Sequence, residues 1–191
     1  VADSENNPNW IAADLLAQAE HDENAQSILI TNQENFAEKV LVSIKKLIEK
    51  LPKKEIINKS LERFGVIIIT NDFNDASKII DMIAPEHLHF HNKSYSKILD
   101  NVNNAGAIFI GEYSPEAFGD YVIGTNHILP TFGSAKFSSG LGVLDFMKRT
   151  SIIQMNSLSY EENQNNVSKM AEIENLEGHK LSVKIRQIKK K

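Results

Sequence analysis

Apolar and polar positions follow two rhythms along this chain, one near 3.6 residues and one near two, and the rhythms exchange at regular intervals. Asn7-Pro8 opens a helix, because asparagine can cap free amide groups and proline at the first helical position forfeits no hydrogen bond. That helix is expected to run to about His21, with Ile11, Leu15 and Gln18 on one face and His21 three residues further along the same side. Ser27 to Thr31 is a short apolar run suited to a buried strand, after which Asn32 to Leu51 shows helical spacing through Phe36, Val40, Ile44, Leu47 and Ile48 until Pro52 ends it. A helix over about Lys54 to Phe64 leads to Gly65–Thr70, whose unbroken β-branched run predicts a parallel strand covered on both faces. Asp72 to Ile83 is read as helix with Ala76, Ile79, Ile80 and Ile83 inward, His87 to His91 as strand, Ser94 to Val102 as helix, and Ala105 to Ile110 as another buried strand.

This alternation predicts an α/β fold, a Rossmann-like, mostly parallel sheet with helices on both faces, right-handed connections and functional loops at the carboxyl ends of the strands. Beyond Gly142 the pattern changes. Leu144 to Met155 reads as a short helix followed by an extended segment, and two amphipathic helices follow, roughly Tyr160 to Glu174 and Glu177 to Lys189. Their few apolar residues, among them Val167, Met170, Ile173, Leu181 and Ile185, need a partner surface. Two regions are therefore expected: 1–142, the C-terminal part of a split α/β domain, and 143–191, an extended segment with a small C-terminal helical appendage. Val1-Ala2-Asp3 reads as the tail of a strand, so the expectation is a chain that is incomplete at its N-terminus.

Composition narrows the class. With 191 residues, 41% of them hydrophobic, the chain can bury one sizeable core, and nine glycines with five prolines are too few for a fibrous or disordered polymer. A balance of 21 basic against 25 acidic residues gives no general basic field for nucleic acid, and the basic run at Lys180, Lys184, Arg186 and Lys189–Lys191 reads as a solvated helix terminus. The sequence has no cysteine, so any zinc would need imidazole, carboxylate or amide ligands; this fits a cytoplasmic protein. No apolar run approaches a membrane span, the first residues lack the order of a secretory signal, and neither GxGxxG nor GxxxxGK occurs.

The candidate chemistry gathers between Ala84 and Gly142, where Glu86, His87, Asp120 and His127 sit among glycines, prolines and short apolar runs. Glu86 and His87 are consecutive after Pro85, so in an extended segment their side chains diverge and address different atoms of one ligand; two surface polar residues are the plain alternative. Asp120 and His127 flank Gly124 and suit either a tight turn or a ligand site. Gln18 and His21 present two hydrogen-bonding or metal-capable groups at a helix end, where from the residues alone a helix running out into solvent is the preferred explanation. Period two places His87, His89 and His91 on one strand face; an outward polar side is preferred for His89 and His91 over a three-histidine metal face.

Ala84-Pro85-Glu86-His87-Leu88, then Gly119-Asp120-Tyr121-Val122-Ile123-Gly124-Thr125-Asn126-His127-Ile128-Leu129-Pro130-Thr131, then Ser138-Ser139-Gly140-Leu141 resembles the C-terminal half of histidinol dehydrogenase. The resemblance implies a zinc- and NAD-dependent two-step oxidation of L-histidinol to L-histidine through L-histidinal, the last steps of histidine biosynthesis. In Leu15-Leu16-Ala17-Gln18-Ala19-Glu20-His21 it assigns Gln18 and His21 as zinc ligands; Asp120 becomes the third and His179 the fourth. Glu86 and His87 match the catalytic acid–base pair, and His127 and Glu174 match substrate contacts, as do His87 and the four zinc ligands. It also implies a homodimer that exchanges its C-terminal helices and a missing N-terminal half carrying most of the NAD contacts, so that the isolated chain is nearly inactive. A zinc hydrolase using Glu86 or His87 on metal-bound water, and a catalytically silent partner domain, are the rival readings.

Overall fold

The structure, a computed structural model, describes residues 1–124 and 126–186. Two compact units divide the chain, Val1–Phe146 and Met147–Lys191.

The first unit follows the expected order. Helix α1 spans Pro8–Ala19, with the Asn7 side chain accepting from the Asn9 amide at 2.9 Å and proline at its start. Then come β1 (Ile28–Thr31), α2 (Glu34–Ile48), α3 (Lys54–Phe64), β2 (Val66–Ile69), α4 (Ala76–Ile83), β3 (His87–Phe90), α5 (Tyr95–Leu99), β4 (Ala107–Ile110) and the short α6 (Glu116–Tyr121). The strands form two parallel ladders, β1 with β2 (Ile28 opposite Val66) and β3 with β4 (His87 opposite Ala107). Between the ladders lie the first residues of the chain. The Ala2 amide donates to the Ile30 carbonyl at 3.1 Å, the His91 amide donates to the Val1 carbonyl at 2.9 Å, and the Val1 nitrogen donates to the His89 carbonyl at 2.7 Å. Residues read as the tail of a strand thus carry backbone hydrogen bonding from one ladder to the other.

Alternation along β1 explains why helices cover both faces. Leu29 enters a core with Ile11, Leu16, Phe36, Val40 and Ile57 from α1, α2 and α3, whereas Ile30 enters a second core with Ala76, Ile80, Leu88, Phe90 and Ile98. Two strands depart from expectation. Val66 and Ile69 of β2, and Ile108 and Ile110 of β4, remain substantially exposed instead of buried, because each of these strands is paired on one side only among the described residues. The expected inward stripe of α1 also shifts: Ile11, Ala12, Leu16 and Ala19 are buried, Leu15 is half-buried, and Gln18 turns away from the core.

In place of the short helix expected from Leu144, a single 3-10 turn spans Val143–Phe146. The second unit holds α7 (Ser157–Ile173) and α8 (Glu177–Lys184), a hairpin reversed at Asn175, which takes a left-handed φ of 57°. The expected continuation of α8 to Lys189 lies partly outside the described residues.

Candidate functional site

β3 is the floor of the site. Leu88 and Phe90 point into the second core, which sends His87, His89 and His91 to the opposite face. That face is not the outward polar side expected for His89 and His91. The polar flank of α1 covers it, and His91 is only 8% exposed. Spacing makes the match: residues four apart on a helix are separated by about 6 Å and alternate strand residues by about 6.6 Å, so Asp14 and Gln18 fall opposite successive histidines. Gln18 Oε1 lies 3.3 Å from His87 Nδ1, and Asp14 Oδ2 lies 3.5 Å from His89 Nδ1 and 3.0 Å from His91 Nε2.

The contact with Gln18 fixes the state of His87. An amide oxygen only accepts, so Nδ1 carries the proton and Nε2 keeps its lone pair. Nε2 is buried with no hydrogen-bond partner among the described residues. Burial also holds the ring's pKa below the ordinary histidine value; Asp120 opposes that shift and His21 reinforces it. The result is a neutral imidazole with an unused basic nitrogen.

Glu86 enters from the turn before β3, where Ala84 caps α4 in the left-handed region at φ 51° and Pro85 redirects the chain. Its carbonyl accepts from the Ala107 amide at 2.8 Å, and a Cβ at Gly106 would sit 2.5 Å from that oxygen, so only glycine lets β4 begin so close. Burial raises the Glu86 pKa, with His21 lowering it and Asp120 raising it again. Glu86 and His87 therefore both feel His21 and Asp120.

Glu116 is a participant that the sequence reading missed. It opens α6, its side chain is 13% exposed, and Oε2 lies 3.7 Å from His87 Nδ1. Burial first, then the charges of Asp120, Glu86 and Asp14, push its pKa up to about 7. The available signal was Ser114-Pro115-Glu116, a helix opening whose glutamate stands four residues before Asp120 and so on its face. Asp14 was legible in the same way, one turn before Gln18.

Asp14, Gln18, His21, Glu86, His87 and Glu116 line one cavity of about 650 Å³. Asp120, on the last turn of α6, lies within electrostatic reach of Glu86, His87 and Glu116. His127 is exposed in the loop after α6 and does not line the cavity. Glu174 and His179 belong to the second unit, the first as the C-cap of α7 and the second on α8, and both are exposed. No helix among the described residues is long and apolar enough to cross a membrane.

The fold and this wall of groups define an α/β chain bearing an imidazole and carboxylates in states suited to moving protons. The chain belongs to the histidinol dehydrogenase family, whose model, "Histidinol dehydrogenase", matches residues 1–187. It is 45% identical over 187 residues to histidinol dehydrogenase of Aquifex aeolicus, covering 98% of this chain and 44% of that protein. With the Brucella suis enzyme it shares 48% identity over 186 residues, covering 97% of this chain and 43% of that protein. The crystal structure of histidinol dehydrogenase from Elizabethkingia anophelis superposes with a TM-score of 0.84 at 34% identity, covering 97% of this chain and 42% of the other. The chain thus spans less than half the length of these relatives and matches their C-terminal part.

Proposed function

We propose that this chain is the C-terminal portion of an oxidoreductase of histidine biosynthesis, acting on L-histidinol and producing L-histidine through L-histidinal. The observation that carries the reading is His87: a half-buried imidazole whose Nδ1 proton is committed to Gln18, leaving a buried, unpartnered Nε2 to accept a hydroxyl proton. Removing that proton prepares an alcohol carbon to lose hydride, and a bound NAD would supply the hydride acceptor. Glu86, whose burial favours its protonated form, is suited to exchange a proton with water when the aldehyde is hydrated for the second oxidation.

Gln18, His21 and Asp120 would hold zinc, and their nitrogen and oxygen donors suit an open catalytic centre. Accepting from His87 occupies one lone pair of the Gln18 oxygen and leaves the other available for a metal. The bound ion would act as a Lewis acid that orients the substrate's amine and imidazole. His179 as fourth ligand, with His127 and Glu174 as substrate contacts, completes the set proposed from the family; a homodimer exchanging its terminal helices would bring His179 and Glu174 from the other subunit.

The test supplies this chain with the N-terminal portion that its relatives carry and follows NAD reduction from L-histidinol and, separately, from L-histidinal. His87→Asn should slow both oxidations by about 100-fold or more, whereas Glu86→Gln should slow chiefly the aldehyde step. Unchanged rates in His87→Asn would remove the basis of the reading. The 191 residues alone should neither bind NAD stoichiometrically nor turn over histidinol steadily, since no phosphate-binding turn is present in the sequence.

A further inference from the structure

Asp14, His89 and His91 form a group of their own. It uses none of Gln18, His21 or Asp120, so it does not depend on the function proposed above. One donor atom from each residue lies within 4.8 Å of the other two. His89 Nε2 stands 2.9 Å from the Gly111 carbonyl, which can only accept, so the ring proton sits on Nε2 and the lone pair on Nδ1. That lone pair faces Asp14 Oδ2, another acceptor, at 3.5 Å. Two acceptors face each other across a gap with no proton assigned to it, which is unfavourable unless a cation lies between them.

The surroundings are those of a metal-binding histidine. One ring nitrogen donates to a backbone carbonyl, which fixes the tautomer and aims the other nitrogen at the ion. Bonds of about 2.0–2.1 Å set tetrahedrally place neighbouring donors about 3.3 Å apart. The separations from Asp14 Oδ2 to His91 Nε2 and to His89 Nδ1, 3.0 and 3.5 Å, straddle that edge. All three residues line the cavity, so an ion has a path in and open positions for water.

We propose that Asp14, His89 and His91 bind a divalent transition-metal ion of the zinc and cobalt class, tying α1 to β3 beside the His87 site. Two imidazoles and one carboxylate suit such an ion, whereas calcium and magnesium take oxygen donors. With the His91 ring proton on Nδ1, Nε2 offers its lone pair alongside His89 Nδ1, and the ion takes both imidazole lone pairs together with the Asp14 carboxylate.

The experiment uses the full chain carrying Gln18→Ala and His21→Ala, which removes two donors of the other proposed centre. After incubation with Zn²⁺ and gel filtration, this protein should retain one zinc per chain by elemental analysis, and Co²⁺ in its place should give a visible absorption band. Adding His89→Gln, whose amide can still donate to the Gly111 carbonyl, should weaken Zn²⁺ binding by at least about 100-fold, since loss of a direct ligand exceeds loss of a supporting contact. Long-range proton–nitrogen spectra supply a measurement that needs no variant at position 89: Zn²⁺ should shift His89 Nδ1 and His91 Nε2. No retained zinc in the doubly substituted protein, equal retention after His89→Gln in a folded chain, or unmoved imidazole resonances would each overturn the proposal. If Gln18→Ala with His21→Ala leaves the total zinc unchanged from the unsubstituted chain, the other centre fails and this one stands.

Discussion

Replacing Glu116 by glutamine should stabilise the first unit above neutral pH and do nothing in acid. The carboxyl is 13% exposed and its pKa stands at about 7 in the fold against an ordinary 4.5, so ionising it is opposed by the folded state. Because the folded value lies above the unfolded one, the stability contributed by the protonated form is fully present below about pH 4.5 and is lost as the pH rises through about 7. At about 1.4 kcal/mol per unit, the shift sets a ceiling of about 3 kcal/mol at pH 8, and relaxation around a charged side chain brings the expected gain to roughly 1–3 kcal/mol. Glutamine keeps the size and removes the charge, so Glu116→Gln should recover that amount at pH 8 and none at pH 4. Urea unfolding in chelator-treated buffer measures it, with the single tryptophan, Trp10 on α1, reporting on the first unit. A gain of the same size at pH 4 and pH 8, or a loss at pH 8, would show that the site does not oppose a charge at Glu116.

Gly106→Ala should cost about 1–3 kcal/mol and shift the amide resonances of Glu86 and His87, because the added methyl meets the Glu86 carbonyl at 2.5 Å; an unshifted spectrum would contradict the packing. Asp81 accepts from the Asn103 amide, the Asn103 side chain and the Asn104 amide at 2.8–2.9 Å, which clamps the turn before β4. Burial raises its pKa, but these bonds together outweigh burial and the net shift is downward, so its stabilisation is present above the ordinary 3.8 and is lost as the pH falls through the lower folded value. Asp81→Ala should therefore cost about 2 kcal/mol at pH 7, with the gap closing below about pH 4 in the same urea assay. Phe36→Ala, at a side chain 2% exposed between α1, α2 and β1, should cost about 3–5 kcal/mol, and a smaller loss would mean that the first core collapses around the gap.

The order of helices and strands was legible in the sequence because burial imposes its period on the residues themselves: Leu29 and Ile30 announce a strand between two cores, and Phe36, Val40 and Ile44 announce the helix that covers one of them. The Asn7-Pro8 helix start was equally local. Short motifs also singled out Glu86 and His87 as candidates. Other features depended on elements distant in sequence. Two-residue spacing gave the three histidines one face, but the Asp14 and Gln18 side of α1, some seventy residues earlier, decided that this face is covered. Glu116 was invisible as a partner of His87 because nothing in a six-residue helix states which strand lies beside it. A periodic pattern records only which side of an element avoids water. Which polar groups then meet, and so which proton is held and which lone pair is left free, is set by contacts between elements that only the folded chain brings together.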